Sequence, residues 1–196
     1  MRKKADNFHA VRFYDSEAAL CRIVANFLRE GLAVGQPALV IATPRHSLGI
    51  IAELRARELD VNTLTAAGTL AVLDVEETLA RFIVDGVPNA DGFRETAMEA
   101  IDKVRGPTRA TVRVYSETVD LLWKQGRDTV AIQVEMLWNK LARSNDFTLL
   151  CGCAMGSFVE DASVQDVCRQ HTHLLSSDGT ARISNADSLL IGALKP

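Results

Sequence analysis

His9-Ala10-Val11-Arg12-Phe13-Tyr14-Asp15-Ser16-Glu17-Ala18-Ala19-Leu20 is the stretch on which the reading of the fold turns. Residues 9–14 carry the β-branched and aromatic side chains that favour a strand. Asp15 or Ser16 can then cap a helix by accepting a backbone N–H with its side-chain oxygen. Leu20, Ile23, Val24, Phe27 and Leu28 recur at helical spacing and predict a helix to about residue 30, ended by Gly31.

The same alternation continues outward. Residues 38–43 are a near-continuous apolar run, the pattern of a strand covered on both faces. Thr43-Pro44 supplies an N-cap with Pro at the first helical position, predicting a helix to about residue 58. A third strand is expected over 70–73. Asp74 and Glu77 have the spacing of a capping box for a helix to about residue 84. A turn through Asp85-Gly86-Val87-Pro88 and a helix over 91–104 follow. Residues 110–115 predict a fourth strand, 117–125 and 128–143 two helices separated by Gly126, 147–153 a fifth strand, and 164–174 a last helix. The fold class expected is α/β, with a mostly parallel central sheet of about five or more strands flanked by helices. One domain over 8–175 and a C-terminal tail over 176–196 complete the expectation.

Composition bounds the function. With 196 residues, 47% apolar and 24% charged, the chain has the make-up of one folded domain. The net charge is −3 and the one basic run is Arg2-Lys3-Lys4, so the electrostatic footprint of direct nucleic-acid binding is missing. No apolar stretch approaches the roughly 20 residues that span a bilayer. Cys21, Cys151, Cys153 and Cys168 do not make a disulfide framework, and the expectation is a cytoplasmic protein with reduced thiols.

Several short motifs, taken in order, point to a family. They are His9-Ala10-Val11-Arg12-Phe13-Tyr14-Asp15, Phe27-Leu28-Arg29-Glu30-Gly31-Leu32 and Pro37-Ala38-Leu39-Val40-Ile41-Ala42-Thr43-Pro44. Phe82-Ile83-Val84-Asp85-Gly86, Arg113-Val114-Tyr115-Ser116-Glu117 and Glu135-Met136-Leu137-Trp138-Asn139 follow, then Leu149-Leu150-Cys151 and the Cys168/His171 pair. Across residues 8–175 the chain resembles the MEDS domain, the sensory domain of methanogens, methylotrophs and the regulator DcmR. The resemblance implies a RecA/KaiC-like core and a role in sensing small, often hydrocarbon-like molecules. Such domains commonly sit beside a DNA-binding, PAS or kinase module; no such module is read in this sequence, so the expectation is that the signal passes to a separate protein: a kinase, a response regulator or a transcription factor.

A nucleotide-binding domain of that fold follows its first strand with a Gly-rich loop ending in Gly-Lys-Ser/Thr, whose backbone N–H groups cradle phosphates. Here Phe13-Tyr14-Asp15-Ser16-Glu17-Ala18-Ala19-Leu20 has no Gly and no Lys, and two carboxylates that repel a triphosphate. The P-loop is absent. No nucleotide or other cofactor is expected, and the chain reads as a non-enzyme. It has no Gly-x-Ser-x-Gly elbow, and no Cys–His pair with an evident orienting group.

The candidate ligand-binding residues follow from burial arguments. Arg113 lies in an apolar strand and requires a carboxylate or a ligand anion. Glu117, near the strand end, or Glu135, on the long helix beside Trp138 and Asn139, can serve. A structural Arg–Glu pair and the polar end of a ligand pocket both remain open. Trp123, Trp138, Phe13 and Tyr14 are candidate apolar walls, and His9 and His46 candidate hydrogen-bonding groups. Cys168, His171 and His173 form a Cys-x-x-His-x-His cluster, and Cys151 and Cys153 share one strand face from which they could add ligands. Structural zinc needs four convergent donors, which spacing does not establish, so no metal is assigned. The first reading is a sensor with its ligand at the carboxyl ends of the strands. The second is a ligand-free interaction module that docks on a partner or forms a homodimer, favoured by an apolar surface on the helix over 128–143. A thiol- or metal-dependent enzyme is the third.

Overall fold

A computed structural model describes residues 8–107, 109–157, 161–175 and 181–183. The chain order is β1 (His9–Tyr14), α1 (Glu17–Leu32), β2 (Ala38–Ala42), α2 (Pro44–Ala56), α3 (Val61–Ala66), β3 (Leu70–Asp74), α4 (Val75–Ala80), β4 (Ile83–Val84) and β5 (Val87–Pro88). It continues with α5 (Ala90–Arg105), β6 (Val112–Ser116), α6 (Thr118–Lys124), α7 (Asp128–Ser144), β7 (Phe147–Ala154), a 3-10 turn (Met155–Ser157), α8 (Asp161–Gln170), β8 (His173–Leu175) and β9 (Ala181–Ile183). One sheet runs in the order β3-β2-β6-β7-β1-β8-β9. Its first six strands are parallel and β9 pairs antiparallel to β8. This is the expected α/β architecture.

Strand alternation gives each face of the sheet its own core. Leu39, Ile41, Val112, Val114, Leu149, Cys151 and Cys153 face a layer that includes Phe93, Ile101, Val134 and Trp138 from α5 and α7. Ala38, Val40, Tyr115 and Leu150 face Leu20, Val24, Phe27, Ile50 and Leu54 from α1 and α2. Coverage on both sides explains the unbroken apolar run of β2, all of whose residues are buried. Thr43 caps α2 through His46 N–H, with Pro44 at the first position, as the sequence predicts. Asp74 Oδ1 accepts from the N–H groups of Glu76 and Glu77 and starts α4.

Three of the departures from the sequence reading have a clear physical cause or consequence. Gly31 lies inside α1, which runs on to Leu32. The glycine is there for space: a Cβ would meet Arg113 Cγ at 2.4 Å. The helix expected to reach residue 84 stops at Ala80, because Asp85 (φ 50°) and Gly86 (φ 81°) form the tight turn of the β4–β5 hairpin. Positive φ at both central residues suits the twist of a two-residue hairpin, and Asp-Gly between valines is its sequence signal. The last helix ends at Gln170, and residues 173–175, the first two of them expected within it, extend the sheet beside β1. Within the expected tail, residues 181–183 form β9, while 176–180 and 184–196 lie outside the described residues.

Candidate functional site

Two polar clusters are buried in this frame. The deeper one joins four separate parts of the chain. His9 on β1 and Cys151 on β7 lie on neighbouring parallel strands and point to the same face. Glu135 and Asn139 stand one turn apart on α7, which covers that face. His171 follows the last residue of α8. His9 and Glu135 are 0% exposed, Cys151 1% and His171 4%. Nε2 of His9 is 3.4 Å from Glu135 Oε2 and 3.4 Å from Cys151 Sγ. Nε2 of His171 is 3.3 Å from Glu135 Oε1, and the two imidazole rings are tilted against each other with centroids 4.1 Å apart.

The hydrogen bonds around this cluster fix the ring tautomers. Asn139 Nδ2 donates to the carbonyl of Gln170, so its Oδ1 faces His9 Nδ1 at 3.0 Å. An amide oxygen only accepts, hence His9 carries its proton on Nδ1 and turns a lone pair at Nε2 toward the cluster. His171 Nδ1 donates to the carbonyl of Val167 at 2.7 Å. Neither oxygen of Glu135 has a well-aligned hydrogen bond, and neither has His171 Nε2. Burial, with His171 beside it, pushes His9 down to about 4. Burial opposes the charge of Glu135, yet the attraction of His171, with His9 and Cys151 adding to it, holds this carboxyl below its ordinary value. Burial and Glu135 push the Cys151 thiol well up.

The second cluster lines the carboxyl edge of the sheet. The β1–α1 connection consists of Asp15 and Ser16, and Ser16 Oγ accepts from Ala19 N–H, so α1 starts without a phosphate-binding loop. Glu117, 1% exposed after β6, accepts from both the N–H and the hydroxyl of Thr43. Its other oxygen takes His46 Nδ1 at 2.7 Å and the Tyr115 hydroxyl at 2.9 Å. The hydrogen bond to Glu117 raises the proton affinity of His46. Its Nε2 is buried without a hydrogen-bond partner, 4.0 Å from Glu17 on the first turn of α1. Beside it, Asp120 accepts from the Tyr14 hydroxyl, Lys124 Nζ and Ala154 N–H. Burial and Asp120 push the Tyr14 phenol upward.

The candidates from sequence therefore divide between the two clusters. His9, Glu135 and Asn139 meet in the inner one; Tyr14, His46 and Glu117 meet at the edge. Arg113 joins neither, and the expected pairing with Glu117 or Glu135 does not occur. It lies near the start of β6, on the α1 side, where Nε donates to Gln36 and NH1 to the carbonyl of Phe27. Its guanidinium sits 4.8 Å over the Phe27 ring, with Glu30 at 3.8 Å. Partial exposure of its tip removes the need for a buried counter-charge. Trp138 is a core residue, edge-on to Phe93 and Phe147 and bonded through Nε1 to Thr118 Oγ1, and Trp123 is buried in the same core. Phe13 is partly buried against it. Of the Cys168, His171 and His173 set, the metal-capable group among the described residues includes His171 alone. His173 instead stacks on Phe8. Cys151 completes that group. The sequence offers Cys151 as a possible added ligand beside Cys168 and His171, but not its partners His9 and Glu135, which come from β1 and α7.

A parallel α/β sheet with strand order 3-2-6-7-1-8 defines a RecA-type fold, here with Asp15 and Ser16 in place of a Gly-rich loop between β1 and α1. The family model described as MEDS, MEthanogen/methylotroph, DcmR Sensory domain, matches residues 8–172, and the chain belongs to that family. Among solved structures it is similar to a KaiC-like protein of the hyperthermophilic archaeon Pyrococcus horikoshii OT3, with TM-score 0.59 and 9% identity over 86% of this chain and 70% of that one. That likeness shows the fold. No curated protein matches the chain. Membership in a sensory-domain family gives the chain a sensory role in signal transduction. Among the described residues no helix is long and apolar enough to cross a membrane.

Proposed function

We propose that this domain is a non-enzymatic sensor that binds a small, hydrocarbon-like molecule at the carboxyl edge of its sheet and passes the signal to a separate protein. The observation that carries the reading is His46 Nε2, a buried polar atom with no hydrogen-bond partner. Such an atom costs free energy unless something fills its valence. Glu117 grips Nδ1 and raises the ring's proton affinity, which favours an N–H at Nε2. The complementary ligand is a compact molecule with one acceptor group for this N–H and an apolar body, and Tyr14, edge-on to His46 at 5.8 Å, offers it an aromatic neighbour. The site stands at the sheet edge where open α/β folds form their crevices. A change in the packing of α1 against α2 on binding would alter the surface that a kinase, response regulator or transcription factor meets. Absence of catalysis fits the thiols as well. Cys21, Cys151, Cys153 and Cys168 are all buried with pKa values pushed up by burial, which makes weak nucleophiles.

The test is a thermal-shift screen with small alcohols, aldehydes, ketones and haloalkanes, on the wild type and on His46→Gln. A ligand at 100 times its Kd adds about 2.7 kcal/mol, or about 5–10 °C for a chain of this length. Stabilisation by one class that disappears in the variant supports the sensor. No stabilisation by any class, with a bare chain mass in native mass spectrometry, turns the reading toward a ligand-free interaction module. The apolar residues of α7 that would favour such a module, Ala131, Val134, Trp138, Leu141 and Ala142, are buried against the sheet, leaving Met136 exposed.

A further inference from the structure

We infer that His9, Glu135, Cys151 and His171 form a mononuclear site for a zinc-type divalent cation. One donor atom from each lies within 4.8 Å of the others, and all four residues are buried. Tetrahedral zinc, with bonds of about 2.0 Å to nitrogen and oxygen and about 2.3 Å to sulfur, sets neighbouring donors about 3.3–3.8 Å apart. The distances of 3.4, 3.4 and 3.3 Å among His9, Cys151, Glu135 and His171 already lie in that range.

The second layer has the arrangement a metal site requires. A ligating histidine normally donates its other ring N–H to a carbonyl or carboxylate, which fixes the tautomer and aims the lone pair. His9 is held this way by Asn139 Oδ1 and His171 by the Val167 carbonyl. Asn139 is in turn held by Gln170, the residue next to His171. Without a cation, both oxygens of Glu135 and Nε2 of His171 are buried polar atoms with no aligned hydrogen-bond partner. A divalent ion answers that fault. Cys151 releases its thiol proton to solvent on binding, and the two positive charges are cancelled by one thiolate and one carboxylate. The buried centre is then neutral, with both imidazoles neutral. The mixed nitrogen, sulfur and oxygen set suits zinc rather than calcium or magnesium, which prefer oxygen alone. With four protein donors it is a closed site of the structural kind. The ion would tie β1, β7 and α7 to the segment that leads into β8, and it stands independently of the ligand proposed at the sheet edge.

The experiment uses the full chain, stripped with chelator and titrated with cobalt(II) and then zinc. The expected result is uptake of one ion per chain, with the intense d–d bands of tetrahedral cobalt and a thiolate charge-transfer band, all bleached by zinc. Cys151→Ser should lose the charge-transfer band and His171→Ala the stoichiometric uptake, while His173→Ala, outside the cluster, keeps both. Metal analysis and circular dichroism on each variant separate loss of binding from loss of fold. Failure of the folded wild type to take up either ion overturns the site. So does unchanged cobalt absorption in folded Cys151→Ser.

Discussion

Replacing Glu117 by Gln leaves the shape of the sheet edge intact and removes one charge from a carboxylate that serves four donors. Oε2 accepts from Thr43 N–H at 2.9 Å and the Thr43 hydroxyl at 3.2 Å, and Oε1 from His46 and Tyr115 at 2.7 and 2.9 Å. A carboxamide offers one oxygen to this set and turns an NH2 group toward the rest. If the oxygen stays with His46 and Tyr115, the NH2 opposes the Thr43 N–H, which cannot rotate away. If it flips, His46 must surrender its Nδ1 proton. The first arrangement opposes a buried N–H and the second forces the other His46 tautomer, each at about 1–3 kcal/mol, and in both the charge assistance to His46 is lost. The expected cost is about 3 kcal/mol, which for a chain of this size lowers the Tm by about 6–12 °C. The deficit should depend on pH in a defined direction. His46 has its folded pKa raised above the ordinary 6.5. Such a group stabilises fully below the unfolded value, and its contribution fades as pH rises through the folded one. The Tm gap between wild type and Glu117→Gln is therefore widest below pH 6.5 and narrows as the pH climbs above it. Differential scanning calorimetry across that range makes the measurement. A gap under about 2 °C at every pH, or one that widens with rising pH, would refute the reasoning.

Arg113→Ala should cost only about 1–2 kcal/mol, the worth of a stacked guanidinium and its hydrogen bonds, rather than the about 3–5 kcal/mol of a broken buried ion pair; urea denaturation distinguishes the two ranges. Gly31→Ala should destabilise by about 1–3 kcal/mol through collision with Arg113, despite the better helix propensity of alanine. The same substitution in an Arg113→Ala background should be close to neutral, and a cycle showing no such coupling would exclude the contact. Trp138→Ala should be the most damaging of the set at about 3–5 kcal/mol, because it empties a fully buried site against Phe93 and Phe147 and removes the Nε1 donor to Thr118, which keeps Ser116 as its partner.

Local physics settled much of this protein in its sequence. Apolar runs and caps placed β1, β2 and α2 almost to the residue and the start of α4 as well, since Thr43, Pro44 and Asp74 act on backbone groups a few positions away. The missing Gly and Lys after β1 excluded a phosphate loop for the same local reason. Where a boundary depended on a distant neighbour, the sequence reading failed. Gly31 looked like a helix end until Arg113, brought over it by strand pairing, supplied another reason for a glycine. Asp85-Gly86 reads correctly as a turn, but the short strands on either side of it, Ile83–Val84 and Val87–Pro88, do not follow from the sequence reading, which carries the helix on to residue 84. Arg113 reads from sequence as needing a buried carboxylate or a ligand anion, on the premise that its whole side chain is buried, whereas its position near the start of β6 lets the tip reach the surface. The inner cluster lay beyond any reading of spacing. His9, Glu135, Asn139 and His171 were each visible as polar residues, but their convergence with Cys151 exists only because β1 pairs with β7, α7 covers that face, and α8 ends above it. Periodicity determines which face of an element is buried; only the packing of separate elements determines what a buried polar atom meets there.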